Sequence, residues 1–527
     1  MEQSFLKGRS NSPTSTGKQE GTSSARQLFS LSLEKNIQQL KSKFGETLDF
    51  VAHRFTLTKE KVPAALVFLD SLVDSEKINN QITRFIIQIE DDPNLAEGEN
   101  LVDFLFVNLL QFINVYKINN MDNVVQSLLH GETILFVEGH SLVLGIGTER
   151  IETRSIFEPS IENEIKGPKE SFIEDMRTNM SMVRRKIKNE NLRYTQLQVG
   201  DITQTGVCLG YIHGIAEEAL VSEVEKRLKK IKIDGVLESS YIEEWIQDHP
   251  RSPFPLVDYS ERPDKTAAML LEGRVVIFVD GTPLVLIVPA VFMQFFITSG
   301  DYYLNYYFAT FLRWLRFISF AFALTVPSIY IALTTMHQEM IPTQLALRIA
   351  GSRSGIPFPA IVEALLMEVT FEILREAGIR LPKGAGQAVS IVGALIIGQA
   401  AVEAGIVSPI LVIVVSLTGI SSFTIAKYEL GLSVRLLRFP LMIMASILGI
   451  PGITVALLAL LVYMVSLKSF GVPYMSPLAP LTKQDLRDTV IRAPWPKLGK
   501  TKHAFDKQSE FDIEGEWDEA KPNPAKN

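Results

Sequence analysis

The stretch from Gly355 to Pro382, GIPFPAIVEALLMEVTFEILREAGIRLP, is as apolar in its middle as a membrane helix, yet it holds Glu363, Glu368, Glu372, Arg375 and Glu376. Pro357 and Pro359 suit a helix start and Gly378 its stop. About 20 residues rising 1.5 Å each give roughly 30 Å, the thickness of the hydrocarbon core. At 100° per residue, Glu368, Glu372, Arg375 and Glu376 share one face, while Glu363 points elsewhere. Several carboxylates in lipid, at about 2.5–3.5 kcal/mol each, would cost on the order of 10 kcal/mol. That face therefore meets something other than lipid. It lines a pore or wet cavity, where rings of carboxylates attract cations, or it meets another subunit or the membrane surface. Glu372 and Arg375, three apart, can also pair locally. Gln399 and Glu403 form a second polar pair one turn apart in an apolar run, close enough to a turn for exposure at the interface to explain it equally well. These seven are the candidate pore or subunit-contact residues.

Other chemistry is missing. None of the seven histidines lies in a His-Glu-x-x-His pattern, and the single cysteine, Cys208, offers no metal spacing and no intrachain disulfide. Cys208 sits in the apolar run TGVCLGYI and reads as a small buried hydrophobe. There is no phosphate-binding Gly-x-x-x-x-Gly-Lys-Ser/Thr loop. Gly384-Ala-Gly386 lacks the third glycine of a dinucleotide fingerprint, so packing explains it better. With 52 Lys and Arg against 59 Asp and Glu the net charge is −7, no field for nucleic acid. The basic cluster Arg184, Arg185, Lys186 and Lys188, on a helix expected from about Lys169 to Lys188, reads first as a solvated face and second as an anion or lipid-headgroup site. The expectation is a protein that is not an enzyme and carries no cofactor or metal.

Two kinds of sequence must position these residues. Up to about residue 300 no apolar run reaches membrane length. Beyond it, Phe317 to Met336 is free of charge, Ala388 to Ala426 holds only Glu403, and Phe439 to Leu467 holds none. The Ala388–Ala426 run reads as a helical hairpin turning near EAGIVSP, with Ala394, Gly398, Ala400 and Ala404 allowing close helix contacts. Phe439 to Leu467, interrupted by GIPG, reads as one long kinked span, because each half alone is too short to cross. Lys427, Arg435 and Arg438 read as a basic loop before it. The polar opening residues read as disordered and not as a signal peptide. Arg313 and Arg316 precede the first span, and Lys483, Arg487, Arg492, Lys497, Lys500 and Lys502 follow the last, which predicts both ends on the cytoplasmic side and an even number of spans. The number is four if the Pro357–Glu376 helix lies in the interface or re-enters, whereas five would put the tail outside, against its charges.

The soluble half repeats itself. Asp122, Gly131, Phe136, Gly139 and Leu142 return 142 positions later as Asp264, Gly273, Phe278, Gly281 and Leu284. FLDSLVDSEKINNQITRF matches YIHGIAEEALVSEVEKRL at nearly the same offset. Each copy, roughly 50–150 and 190–290, is expected to open with a β-like run and a helix. Each should close with a hairpin turning at Glu138-Gly139 or Asp280-Gly281. Val275 to Ile297 could pass for a poor span, but its soluble twin favours the hairpin. The fold class is therefore an α/β duplicated cytoplasmic domain followed by an α-helical polytopic membrane domain. The expected layout is a disordered segment (1–30), a first α/β subdomain (31–155), and a linker helix with the second subdomain (156–300). A membrane domain of about four or five helices (301–468) and a soluble tail (469–527) complete it.

Four stretches, IPFPAIVEALLMEVTFEILREAGIRLP, GQAAVEAGIVSP, EPSIENEIKGPKESFIEDMRTN and SPFPLVDYSERPD, resemble the signature stretches of the A subunit of GerA-type spore germination receptors. The match runs in order from about residue 45 to about 495. The resemblance implies a multi-pass protein of the spore inner membrane, with its N-terminal domain of two α/β subdomains on the cytoplasmic or spore-core side. It implies a transporter-like B subunit and a lipoprotein C subunit as partners, besides membrane lipid. It also implies assembly into a homo-oligomeric ligand-gated cation channel that triggers germination. A paralogous channel component of the dipicolinate-release system resembles the same pattern. A stand-alone membrane transporter and a poreless membrane sensor are alternatives of other classes.

Overall fold

A computed structural model of the chain describes residues 29–57, 61–89, 101–109, 114–150, 159, 161–381, 398–481 and 486–498. The opening segment to residue 28, the Gly384-Ala-Gly386 motif, Ala394, and the tail lysines Lys483, Lys500 and Lys502 lie outside these residues. The chain forms two compact units. One comprises Met1–Leu40, Val51–Leu69 and Val73–Arg150, the other Lys41–Phe50, Asp70–Leu72 and Ile151–Asn527.

The first unit is built on strands β1 (Phe50–Leu57), β2 (Val62–Leu69), β3 (Val115–Ile118), β4 (Thr133–Val137) and β5 (Val143–Ile146), in spatial order β1-β2-β4-β5-β3. Helices α1 (Leu33–Phe44) and α2 (Met121–Leu129) accompany it, the latter N-capped by Asn120, whose side chain accepts from the Asn123 amide at 2.7 Å. The second unit holds β6 (Leu192–Val199), β7 (Thr205–Ile212), β8 (Asp258–Ser260), β9 (Val275–Val279) and β10 (Val285–Val288), in order β6-β7-β9-β10-β8. The order is the same in both sheets, as expected of a tandem duplication. β4 with β5 and β9 with β10 are antiparallel hairpins of fully buried residues. Gly139 and Gly281 take φ of +80° and +88° at their turns, a conformation that an L side chain rarely adopts. The edge strands β1, β3, β6 and β8 are ones the sequence did not announce.

Helices α3 (Met176–Lys186), α4 (Glu218–Lys230), α5 (Ser239–Ile246) and α6 (Pro263–Leu271) cover the second sheet. The helix expected from Lys169 starts instead at Met176, because Asp175 caps it by accepting from the Thr178 amide at 2.9 Å. Within the expected basic face, Arg184 is fully buried, held by Asp49 through two hydrogen bonds of 3.0 Å. It is a structural ion pair and not a surface charge.

The helical half follows: α7 (Tyr306–Thr335), a short helix Thr343–Arg353, α8 (Ala360–Arg380), α9 (Pro409–Phe423) and α10 (Tyr428–Ser466). Two of them, α7 and α10, are long and apolar enough to cross a membrane. α7 begins beside Phe296 and Asp301, where Arg313 and Arg316 both pair with Asp301 at 3.0 and 2.8 Å. Its far end meets α10 at Gly449, where an added Cβ would stand 2.3 Å from His337 Cε1.

α10 is not the single kinked span expected from Phe439–Leu467. Gly449 has φ +64° and ψ −141°, which no helix tolerates, and it divides the element into arms 428–448 and 450–466. Ser433 on the first arm donates to the Pro253 carbonyl, and Tyr463 on the second packs its ring 6.4 Å from that of Phe254. A straight helix would hold residues 30 apart at about 45 Å, so the arms fold back into a hairpin. The first arm also starts earlier than expected, and Arg435 and Arg438 lie inside it and not in a loop.

Candidate functional site

Helix α8 carries its charges into the centre of the helical half. Glu363 is fully enclosed. One of its oxygens accepts from Arg353 at 3.0 Å and the other from the Ser408 amide at 3.1 Å. Ser408 is the N-cap of α9, so the carboxylate sits where free amides and the helix dipole favour an anion. The Ser408 hydroxyl is in turn within 3.1 Å of the Tyr330 hydroxyl on α7.

One turn and a half further on, Glu368 pairs closely with Arg438 of α10, and both are buried, at 0% and 1% exposure. Arg438 also donates from Nε to the Ala323 carbonyl of α7 at 2.8 Å. That carbonyl is available for a simple reason. Its helical partner four residues on is Pro327, which has no N–H. Pro327, Arg438 and Glu368 thus form one joint between α7, α10 and α8, in which the proline's missing donor is replaced by a guanidinium.

Glu372 follows, accepting from Arg435 at 3.0 Å and standing 3.7 Å from Arg375. Arg375 donates to Ser422 of α9 at 2.7 Å, with its guanidinium 5.0 Å from the Phe371 ring and 4.6 Å from that of Phe423. Glu376 pairs with Arg380 at 2.6 Å, and 59% of its side chain is exposed. Gln399 donates to Glu403 at 2.9 Å on an exposed surface. The structure therefore turns Glu363, Glu368, Glu372 and Arg375 toward the neighbouring helices, with Glu372 still 25% exposed, and leaves Glu376, Gln399 and Glu403 outside. Glu363 lies off the common face, as helical spacing predicts, yet it is as deeply buried as Glu368. Arg353, Arg435 and Arg438 are partners that the sequence alone did not assign. The signal was there: Arg435 and Arg438, three apart, face Glu372 and Glu368, four apart.

A second buried cluster lies between the α/β and helical parts of the second unit. Lys427, the residue before α10, reaches Glu162 at 2.6 Å, the Tyr259 carbonyl at 2.7 Å and Asp258 at 3.0 Å. Lys265 of α6 reaches the same two carboxylates, at 3.2 and 2.9 Å. Two negative and two positive charges balance out of water. Burial alone would raise the Glu162 carboxyl, but attraction to Lys265 and Lys427 outweighs burial and holds it down to about 2. Asp258 is lowered further by the same two cations, again against the effect of burial. Glu162 and Asp258 fall in two of the stretches that carried the family resemblance.

Among known proteins, a family profile described as Bacillus/Clostridium GerA spore germination protein matches residues 38–504. The chain is 45% identical over 469 residues to spore germination protein KA of Bacillus subtilis (strain 168), covering 89% of this chain and 86% of that protein. It is 46% identical over 431 residues to the uncharacterized membrane protein YfkQ of the same organism, with 82% and 83% covered. A crystal structure of the N-terminal domain of the A subunit of the Bacillus megaterium spore germinant receptor GerK3 is 34% identical. That comparison covers 51% of this chain and 100% of that one, with a TM-score of 0.42. The chain with the charged helix α8 belongs to the GerA family of spore germination proteins, the A subunits of spore germinant receptors.

Proposed function

We propose that the chain is the A subunit of a nutrient germinant receptor of the spore inner membrane. Its α/β half, the layout 31–300, faces the spore core, and its helical half, 301–468, is embedded and assembles with further copies into a ligand-gated cation channel. The receptor also contains a transporter-like B subunit and a lipoprotein C subunit. The observation that carries this reading is the ion-paired inner face of helix α8 in a bundle whose outer surface is apolar, with Ile318, Phe322, Ile373, Ile413, Ile420, Ile447 and Leu458 exposed. Ionisable groups at membrane depth mark functional positions. The α10 hairpin supports a tail on the same side as the α/β half, because Ser469 returns to the Leu256 carbonyl at 2.7 Å.

The candidate residues divide by exposure. Glu363, Glu368, Glu372 and Arg375 brace α8 within one chain. Glu376, Gln399 and Glu403 are left to meet water, a cation or a neighbouring subunit. Measuring nutrient-triggered potassium release from spores tests this division. Glu376→Gln and Glu403→Gln should slow release at normal membrane abundance, whereas Glu368→Gln should lower abundance. Normal release from a Glu376→Gln, Glu403→Gln double variant would exclude these carboxylates from permeation and subunit contact.

A further inference from the structure

Two separate sets of contacts tie the α10 hairpin to the second sheet, one set at each foot. Before the outgoing arm stands the balanced cluster of Lys427 and Lys265 with Glu162 and Asp258, followed on the arm by Ser433 donating to the Pro253 carbonyl. After the return arm, Ser469 Oγ donates to the Leu256 carbonyl at 2.7 Å and accepts from the Ala290 amide at 3.0 Å. Phe470 comes next, with its ring in the apolar core of the second sheet and the Arg227 guanidinium 4.3 Å from it. Its amide donates to Asp248 Oδ2 at 2.6 Å. The tight turn of β11 (Lys468–Ser469) and β12 (Val472–Pro473), with Phe470 at φ +50°, aims that ring. The same stretch of the sheet region, 253–259, serves both feet.

We propose that the second α/β sheet and the α10 hairpin form a single lever, clamped at both feet, that carries any displacement of the sheet to the hairpin tip beside the end of α7. The outgoing arm of 428–448 gives the lever a reach of about 30 Å. One anchor alone would act as a pivot and let the hairpin rock. Two anchors on one stretch prevent that. The charge cluster makes parting costly, since separating Lys427 from its carboxylates leaves buried charge uncompensated. At the tip, the close approach of Gly449 to His337 and Met336 leaves no slack to absorb the motion.

The cellular test rests on the receptor reading, and a second measurement does not. With Pro253→Cys and Ser433→Cys joined by a short reducible thiol crosslinker, nutrient-triggered potassium release should stay within about twofold of the reduced sample. Inhibition relieved by reduction would overturn the lever, because the foot would then have to part. Lys427→Met, at normal membrane abundance, should slow release by roughly tenfold, and an unchanged rate would also overturn it. If Lys427→Met fails to accumulate, Phe470→Leu is read in its place by the same criterion. If release does not depend on the gene at all, the receptor reading fails, and the lever is judged by amide hydrogen exchange on the detergent-solubilised full chain. There, Lys427→Met should raise exchange in 253–260 and 428–433 together. A rise on one side alone would refute the clamp.

Discussion

Arg438 serves two neighbours at once: the Ala323 carbonyl left free by Pro327, and one oxygen of the Glu368 carboxylate in the bundle. Removing one member of such a buried pair costs about 3–5 kcal/mol, because the other charge is stranded. Glu368→Gln should therefore lower the thermal midpoint of the solubilised protein, whereas a single charge lost from lipid would have eased insertion. The pair Glu368→Leu with Arg438→Leu should recover more than about 1 kcal/mol relative to the sum of the single changes. Additive losses would mean that the two side chains do not depend on each other. At this scale the sequence showed which carboxylates share a face, since spacing alone decides that. What they face showed only as a long-range match, Arg435 and Arg438 spaced against Glu372 and Glu368 across 63 to 70 residues, which local spacing cannot decide. The arginines were visible but were assigned to a loop.

Among elements, Gly449 makes the α10 hairpin possible. A side chain there would be strained at φ +64° and would meet His337, so Gly449→Ala should destabilise by at least about 1–3 kcal/mol, read as a lowered thermal midpoint. The fold-back also predicts that a cysteine placed at Trp495 is shielded from impermeant thiol reagents on intact cells. Labelling as efficient as that of an extracellular control would contradict it. On α5, burial and then repulsion from Glu429 push the Glu243 carboxyl up from 4.5 to about 8. A raised carboxyl binds a proton in the folded state that the unfolded state has released, so this contribution is present at low pH and is lost as pH rises from about 4.5 towards 8. The thermal midpoint should fall from pH 5 to pH 8, and Glu243→Gln should flatten the fall. The central hairpins were legible because β4, β5, β9 and β10 are unbroken apolar runs around Glu-Gly and Asp-Gly. The edge strands were not, because FVAHRFTL and LRYTQLQV alternate with polar residues and pair on one side only. GIPG was read as a kink, since nothing local distinguishes a bend from a reversal. What told them apart was tertiary: Ser433 and Tyr463 both return to 253–254.

For the whole molecule, the proposal is a receptor subunit that turns a signal into cation movement, supported by the duplicated sheets, the apolar sheath and the ion-paired face of α8. Deleting the gene and following potassium release from purified spores across a panel of nutrients tests that claim most directly, with the intact gene restored as the control. Loss of release in response to one nutrient or nutrient set, recovered on restoring the gene, is the expected result. Release that stays normal for every nutrient able to germinate the parent spores would contradict it.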